Sequence, residues 1–297
     1  MFIILSVIVP VANMADKLQN LQDWLPLAKN YNVEVLLIHD KQDEETSTQL
    51  SQIKKQLQNS NVYLIERTVN SPGLARNVGL EYSIGDWVHF VDSDDIFLLP
   101  EVMKEITALH EPEIIAIAGR FARIDTVSRQ RRDCQTWSGN KNKNLETIFL
   151  DPGLWRFTFR KKALNSKKFT NLHLAEDIIF LHSVGLRSNQ IKFSDEITYL
   201  YHTGVSGQLS GKPKNISCLP EALISISKSP EKYPVVVLGI IHMRILLGIF
   251  KRKKIKILFK SLKICILSCL ERPLLIVGYA AALNKILLFK LNSKRMK

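Results

Sequence analysis

The chain has 297 residues, 46% of them hydrophobic and 23% charged, which excludes a disordered polymer and allows one large or two smaller folded domains. The net charge is +13, yet residues 228–297 hold 16 Lys and Arg against only Glu231 and Glu271, a balance of +14 that leaves the first 227 residues close to neutral. The four cysteines, Cys134, Cys218, Cys265 and Cys269, form no CxxC, and no histidine cluster accompanies them, so a zinc site or disulfide framework is not expected. Residues 1–11 are apolar, but no Lys or Arg precedes them and Asn13, Asp16 and Lys17 follow at once, so they read as a buried strand instead of a secretion signal.

Taken in order, residues 3–9 are a continuous, β-branched apolar run suited to a strand buried on both faces. Residues 16–29 put Leu18, Leu21, Leu25 and Ala28 on one helical face. A second buried strand follows at 33–38. Thr46, Leu50, Ile53 and Leu57 mark a second helix, 62–65 a third strand, 74–83 a third helix and 87–91 a fourth strand. This β-α alternation predicts a mostly parallel sheet flanked by helices, with ligands beyond the carboxyl ends of its strands. The segments that matter are then 10–13, 39–41, 66–67 and 92–95.

Farther on, 114–118 and 121–125 are expected as strands, 129–143 as a loop, 154–159 as a strand, 176–187 as a helix and 197–202 as a last strand before a Gly/Ser/Lys loop at 204–214. Two apolar runs, 234–250 and 273–291, then flank the basic stretch 251–263. His242 and Arg244 interrupt the first, and Asn284, Lys285 and Lys290 the second. Both fall short of the roughly 20 mostly apolar residues a spanning helix needs.

Five constellations could carry chemistry. Asp92, Ser93, Asp94 and Asp95 end a buried strand, and three crowded carboxylates suit Mg2+ or Mn2+, although Asp and Ser equally favour a helix N-cap. In Ser71-Pro-Gly-Leu-Ala-Arg76-Asn77 a Pro-Gly turn opens a helix that presents Arg76, suited to a diphosphate or simply to solvent. Asp40, closing the second strand, could accept bonds from a base or ribose. Glu176 and Asp177 start a helix, where acids are favoured by the dipole and where one could serve as a general base. Tyr199, Tyr201 and His202 lead into the loop holding Gly204 and Ser206, which reads as core or as a flap over a diphosphate.

In this order the pieces resemble the family 2 glycosyltransferases with the GT-A fold, of the bacterial surface-polysaccharide type, over residues 5–205. The residues that carry the resemblance are 6–13 (SVIVPVAN), 33–38 with Asp40, 73–80 (GLARNVGL), 85–95 (GDWVHFVDSDD), Pro100, Glu176-Asp177 and Tyr201-His202. The resemblance implies an α/β GT-A domain over 1–215, and the composition of 216–297 adds a helical, basic extension. The resemblance also implies an inverting transfer of a sugar from a nucleotide-diphosphate donor to a glycan or lipid-linked acceptor. Pro10, Val11, Asn13, Asp40, Arg76, Asp92, Ser93 and His202 would line the donor site. Asp94, with Asp92, would hold Mn2+ or Mg2+, and Asp177, beside Glu176, would be the base. Where the family usually reads Asp-Asp-Gly-Ser after strand two, this chain has His39-Asp40-Lys41-Gln42. The alternative is a non-catalytic nucleotide- or glycan-binding subunit of a glycan synthase complex.

The basic extension falls outside the resemblance. Apolar runs interleaved with Lys and Arg suit helices lying on an anionic membrane surface, with Arg252, Lys253 and Lys254 beside Phe250, Ile255 and Leu258. A peripheral location at the cytoplasmic face of the inner membrane follows as the expectation. Nucleic acid is not an expected partner, because the Gly-aromatic patterns of RNA-binding modules are missing.

Overall fold

The computed structural model describes residues 3–12, 18–41, 44–57, 60–134, 137–172, 174–204, 213–228 and 233–295. The chain forms two compact units. One comprises Met1–Trp137, Leu154–Asn171 and Asn189–Gln208, the other Ser138–Gly153, Leu172–Ser188 and Leu209–Lys297. The expected boundary at residue 215 divides the sequence once, whereas these units interleave along it.

The first unit runs β1 (Leu5–Val11), α1 (Leu18–Trp24) with a 3-10 turn over Leu25–Asn30, β2 (Val33–Asp40), α2 (Glu44–Gln56), β3 (Val62–Arg67), α3 (Pro72–Tyr82) and β4 (Trp87–Phe90). It continues through β5 (Ile96–Phe97), α4 (Leu99–Thr107), β6 (Ala116–Asp125), β7 (Arg131–Cys134), β8 (Phe157–Arg160) and β9 (Ile191–Thr203). Among the described residues these strands form one nine-stranded sheet in the order β3-β2-β1-β4-β8-β6-β9-β5, with β7 on β6. The strands β1 to β4 pair in parallel, as the alternation predicts. The apolar run of β1 is buried from Leu5 to Val9, because helices cover both sides of a parallel sheet.

Where the chain was expected to break into strands at 114–118 and 121–125, it forms the single strand β6. Its register against β9 shifts between Ala118 and Arg120 and again before Phe121. Gly119 sits at that irregularity, and a Cβ there would overlap Thr198, so glycine marks a bulge instead of a strand end. The expected loop at 129–143 contains β7, and the expected strand at 154–159 begins as a 3-10 turn over Leu154–Arg156.

Two close approaches fix the elements around the site. Ser6 donates to buried Glu34 across the β1–β2 pair, and Gly85 N–H (2.8 Å) and Ile84 N–H (2.7 Å) donate to Ser6 Oγ and Glu34 Oε1. This strap pins the turn that feeds β4. In α3, a Cβ on Gly79 would overlap the Ile8 side chain of β1. Gly79→Ala therefore lowers stability by about 1–3 kcal/mol through overpacking, read as a fall in the urea midpoint.

The second unit is helical: α5 (Lys141–Leu150), α6 (Glu176–Val184), α7 (Leu219–Lys228), α8 (Val235–Lys251), α9 (Ile255–Glu271) and α10 (Leu275–Arg295). Its core helix is α8, whose residues Val237 to His242 are all buried. Gly239 and Gly278 let α8 and α10 cross at backbone contact, since a Cβ on either would strike the other helix. Arg244 donates to the Leu150 carbonyl, and Lys285 pairs with Glu146, tying α8 and α10 to α5. The Tyr233 hydroxyl accepts Leu186 N–H (2.9 Å) and donates to the Leu181 carbonyl (3.0 Å), closing the end of α6. Among the described residues no helix is long and apolar enough to cross a membrane.

Candidate active site

Parallel pairing brings the carboxyl ends of β1, β2 and β4 to one edge of the sheet. Pro10 and Val11 stand opposite Ile38 and His39, and Val91 N–H donates to the Ile8 carbonyl (3.0 Å), delivering Asp92 beside the end of β1. Val11 is 1% exposed and packed in the core, so it offers the site its backbone alone. Asn13 and Ser206 lie outside the described residues. Asp40 accepts the N–H of Asn70 (2.7 Å), which adopts φ 55° in the left-handed region. The other Asp40 oxygen is buried and has no hydrogen-bond partner among the described residues, so it is available to a donor group on a ligand.

The acidic loop after β4 is held from three sides. Arg76, buried on α3, forms a 2.7 Å ion pair with Asp92, and its guanidinium lies 5.5 Å from the Phe169 ring centre. Asn77 secures that ring's backbone by a reciprocal pair, donating to the Phe169 carbonyl (2.9 Å) and accepting its N–H (2.8 Å). From β9, the Tyr199 hydroxyl accepts Asp92 N–H (3.0 Å) and donates to Asp95 (2.9 Å), while His202 N–H donates to the other Asp95 oxygen (2.7 Å). Asn20 of α1 donates to the Asp94 carbonyl. Trp155 is sandwiched between Tyr199 and Tyr201, with ring centres 4.7 and 5.2 Å away and planes within 15°.

Burial pushes the Asp95 carboxyl up to about 7, a rise opposed by the His202 bonds and increased by Asp92 and Asp94. Burial, with Asp95 and Asp92 nearby, also raises Tyr199 well above its ordinary value, so it remains a hydroxyl that can donate and accept. The loop thus separates two kinds of carboxyl. Asp95 is fully buried and structural, whereas Asp92, Ser93 and Asp94 are part-exposed at the strand end.

No group of three or more His, Cys, Asp or Glu among the described residues is gathered to hold a metal by itself. The donor set fits a different arrangement. Mg2+ or Mn2+ can be held by one or two carboxylates with substrate phosphates completing the shell, and Asp94 with Asp92 supplies that number.

Glu176 and Asp177 belong to the second unit and open α6. The chain enters this helix through Ala175 in the left-handed conformation (φ 68°), a strained state for a residue with a Cβ. Glu176 is buried, whereas Asp177 is part-exposed and accepts Ile178 N–H (2.7 Å). The sequence marks Tyr199 and His202 and counts Asp95 among three carboxylates for a cation, whereas Asp95 is buried against Tyr199 and His202, and Trp155 carries no role in that reading. The alternation that puts Tyr199 and Tyr201 on one face of β9 was the available signal for the stack.

The sheet order and the acidic loop at its carboxyl edge define a GT-A fold. Residues 1–349 of Staphylococcus aureus TarS in complex with UDP-GlcNAc share it, with a TM-score of 0.68 at 18% identity over 99% of this chain and 93% of that one. The mannosyltransferase PcManGT of Pyrobaculum calidifontis, in complex with GDP-Man and Mn2+, superposes with a TM-score of 0.60 at 15% identity, covering 95% and 81%.

Residues 6–175 match glycosyl transferase family 2, and the chain belongs to that family. It is 26% identical over 244 residues to the poly(ribitol-phosphate) beta-glucosyltransferase of Bacillus spizizenii, covering 76% of this chain and 37% of that protein. An uncharacterized glycosyltransferase of Haemophilus influenzae is 23% identical over 217 residues, covering 71% and 84%. The chain therefore spans little more than a third of the first of these relatives and most of the second.

Proposed function

We propose that this protein is a metal-dependent, inverting glycosyltransferase that moves a sugar from a nucleotide-diphosphate donor to a glycan or lipid-linked acceptor in bacterial surface-polysaccharide synthesis, at the cytoplasmic face of the membrane. The observation that carries the proposal is the loop at the carboxyl edge, with Asp92 locked by Arg76 and Tyr199 and Asp94 left part-exposed beside it. Its likeness to relatives that act on poly(ribitol-phosphate) supports a polymeric acceptor of the cell surface.

In this mechanism Asp40 binds the nucleoside through its unpartnered oxygen, and the backbone of Pro10 and Val11 borders the same pocket. Asp92 would contact the ribose or the metal, and Ser93 offers a hydroxyl on the same loop. Asp94 and Asp92 would hold Mn2+ or Mg2+, which would supply positive charge to the phosphates and so ease departure of the diphosphate. His202 and Arg76 add donors on the leaving-group side. Asp177, beside Glu176, takes the proton from the acceptor hydroxyl, whose oxygen bonds to the anomeric carbon as the bond to the diphosphate breaks.

The test is a panel of sugar nucleotides with Mn2+, Mg2+ or EDTA, scored for sugar transfer and released nucleoside diphosphate. Metal-dependent turnover of one donor is expected. Binding of a donor without turnover on any acceptor would favour the non-catalytic subunit. Tyr199→Phe leaves the Trp155 stack in place but deprives Asp92 N–H and Asp95 of their shared partner. A stability loss of about 1–3 kcal/mol is expected. The Mn2+ needed for half-maximal turnover should also rise, because the loop bearing Asp94 is released.

A further inference from the structure

The helix α9 is built inside out. Its small residues Ser261, Cys265 and Ser268 face the interior of the helical unit. Its large apolar side chains face solvent, with Phe259 69%, Ile266 61% and Leu270 74% exposed. At 100° per residue these three fall on one narrow stripe, and Lys256, Lys260 and Lys263, all exposed, run down one flank of it. The next helix, α10, buries Leu275, Ala282 and Ile286 and still leaves Val277, Leu283 and Leu287 exposed.

A water-facing helix normally buries its large apolar residues, and an exposed apolar surface rimmed by polar groups marks an interaction site. The location of this surface differs from the expectation raised by the two apolar runs. The first run, α8, is core. The basic stretch 251–263 opens α9 and supplies Phe259, while Ile266 and Leu270 follow it, between the two apolar runs.

We propose that the outward face of α9 and α10 seats the protein on an anionic lipid surface, lying in the plane of the interface. Phe259, Ile266 and Leu270 would enter the acyl boundary while Lys256, Lys260 and Lys263 meet the headgroups. Charge selects this occupant. Lysines beside the stripe attract anionic headgroups, whereas a second copy of the same face would bring like charges together. The absence of a spanning-length apolar helix among the described residues fits a face that lies on the bilayer. This inference rests on the membrane location proposed above, not on the chemistry of transfer.

The test is flotation of the full chain with phosphatidylcholine vesicles and with vesicles that also contain phosphatidylglycerol. The wild type should float with the anionic vesicles, less so at high salt, and weakly with phosphatidylcholine alone. F259E/I266E/L270E, at positions exposed in the folded protein, should weaken binding at least about tenfold while keeping the wild-type melting transition. K256Q/K260Q/K263Q should lose the preference for anionic vesicles. Wild-type flotation that the triple Glu variant retains would overturn this face but leave the membrane location standing. Failure of the wild type to float would remove both. A dimer in sedimentation equilibrium that the triple Glu variant dissociates would reassign the face to self-association. Nucleotide-sugar turnover, followed in the same samples without lipid, reports separately on the transfer reaction.

Discussion

Asp94→Ala should abolish metal-dependent sugar transfer, a fall of about 10²–10⁴-fold in kcat/KM, with the fold retained. The side chain stands part-exposed at the end of β4, while the loop itself is held by other groups: the Asp94 carbonyl by Asn20, Asp92 by Arg76 and Tyr199, and Asp95 by Tyr199 and His202. Removing the Asp94 carboxylate therefore leaves those anchors in place. Asp92→Ala should behave differently. It leaves the buried Arg76 without its 2.7 Å partner, so stability falls together with activity. Titration of Mn2+ against turnover, alongside urea unfolding, separates the two variants. Unchanged turnover in Asp94→Ala would remove the metal assignment.

Asp177→Asn should lower kcat by about 10²–10⁴-fold and leave the KM for the donor nearly unchanged, because the amide cannot accept the acceptor's proton. Glu176→Gln acts from a buried position, where its effect falls first on the start of α6 and on stability. Pre-steady-state donor binding combined with turnover on an accepted acceptor distinguishes the two. If Asp177→Asn turns over at the wild-type rate while Asp94→Ala is dead, the base lies elsewhere and the metal assignment survives.

The parallel core was legible because its signals are local. The buried runs of β1 and β2 and the spacing of Leu50 and Ile53 on α2 each follow from the period of one element. Gly119 shows where local reasoning failed. The stretches 114–118 and 121–125 read as two strands, but Gly119 between them lies against Thr198, far along the chain. The inverted face of α9 was equally hidden. Composition reveals an apolar, basic helix, but which side is buried depends on what packs against it.

By itself the sequence determined the fold class, the family and the order of the carboxylates, since these are set by short patterns in contiguous residues. Only the tertiary structure decided what each carboxylate does in the loop. Asp92, Asp94 and Asp95 are near-equivalent in sequence, yet burial and the β9 side chains make Asp95 an internal anchor. Arg76 ties down Asp92, and Asp94 is left part-exposed beside them. A carboxylate's role follows from its desolvation and its partners, and in this loop both are supplied by β9 and α3, elements distant in the chain.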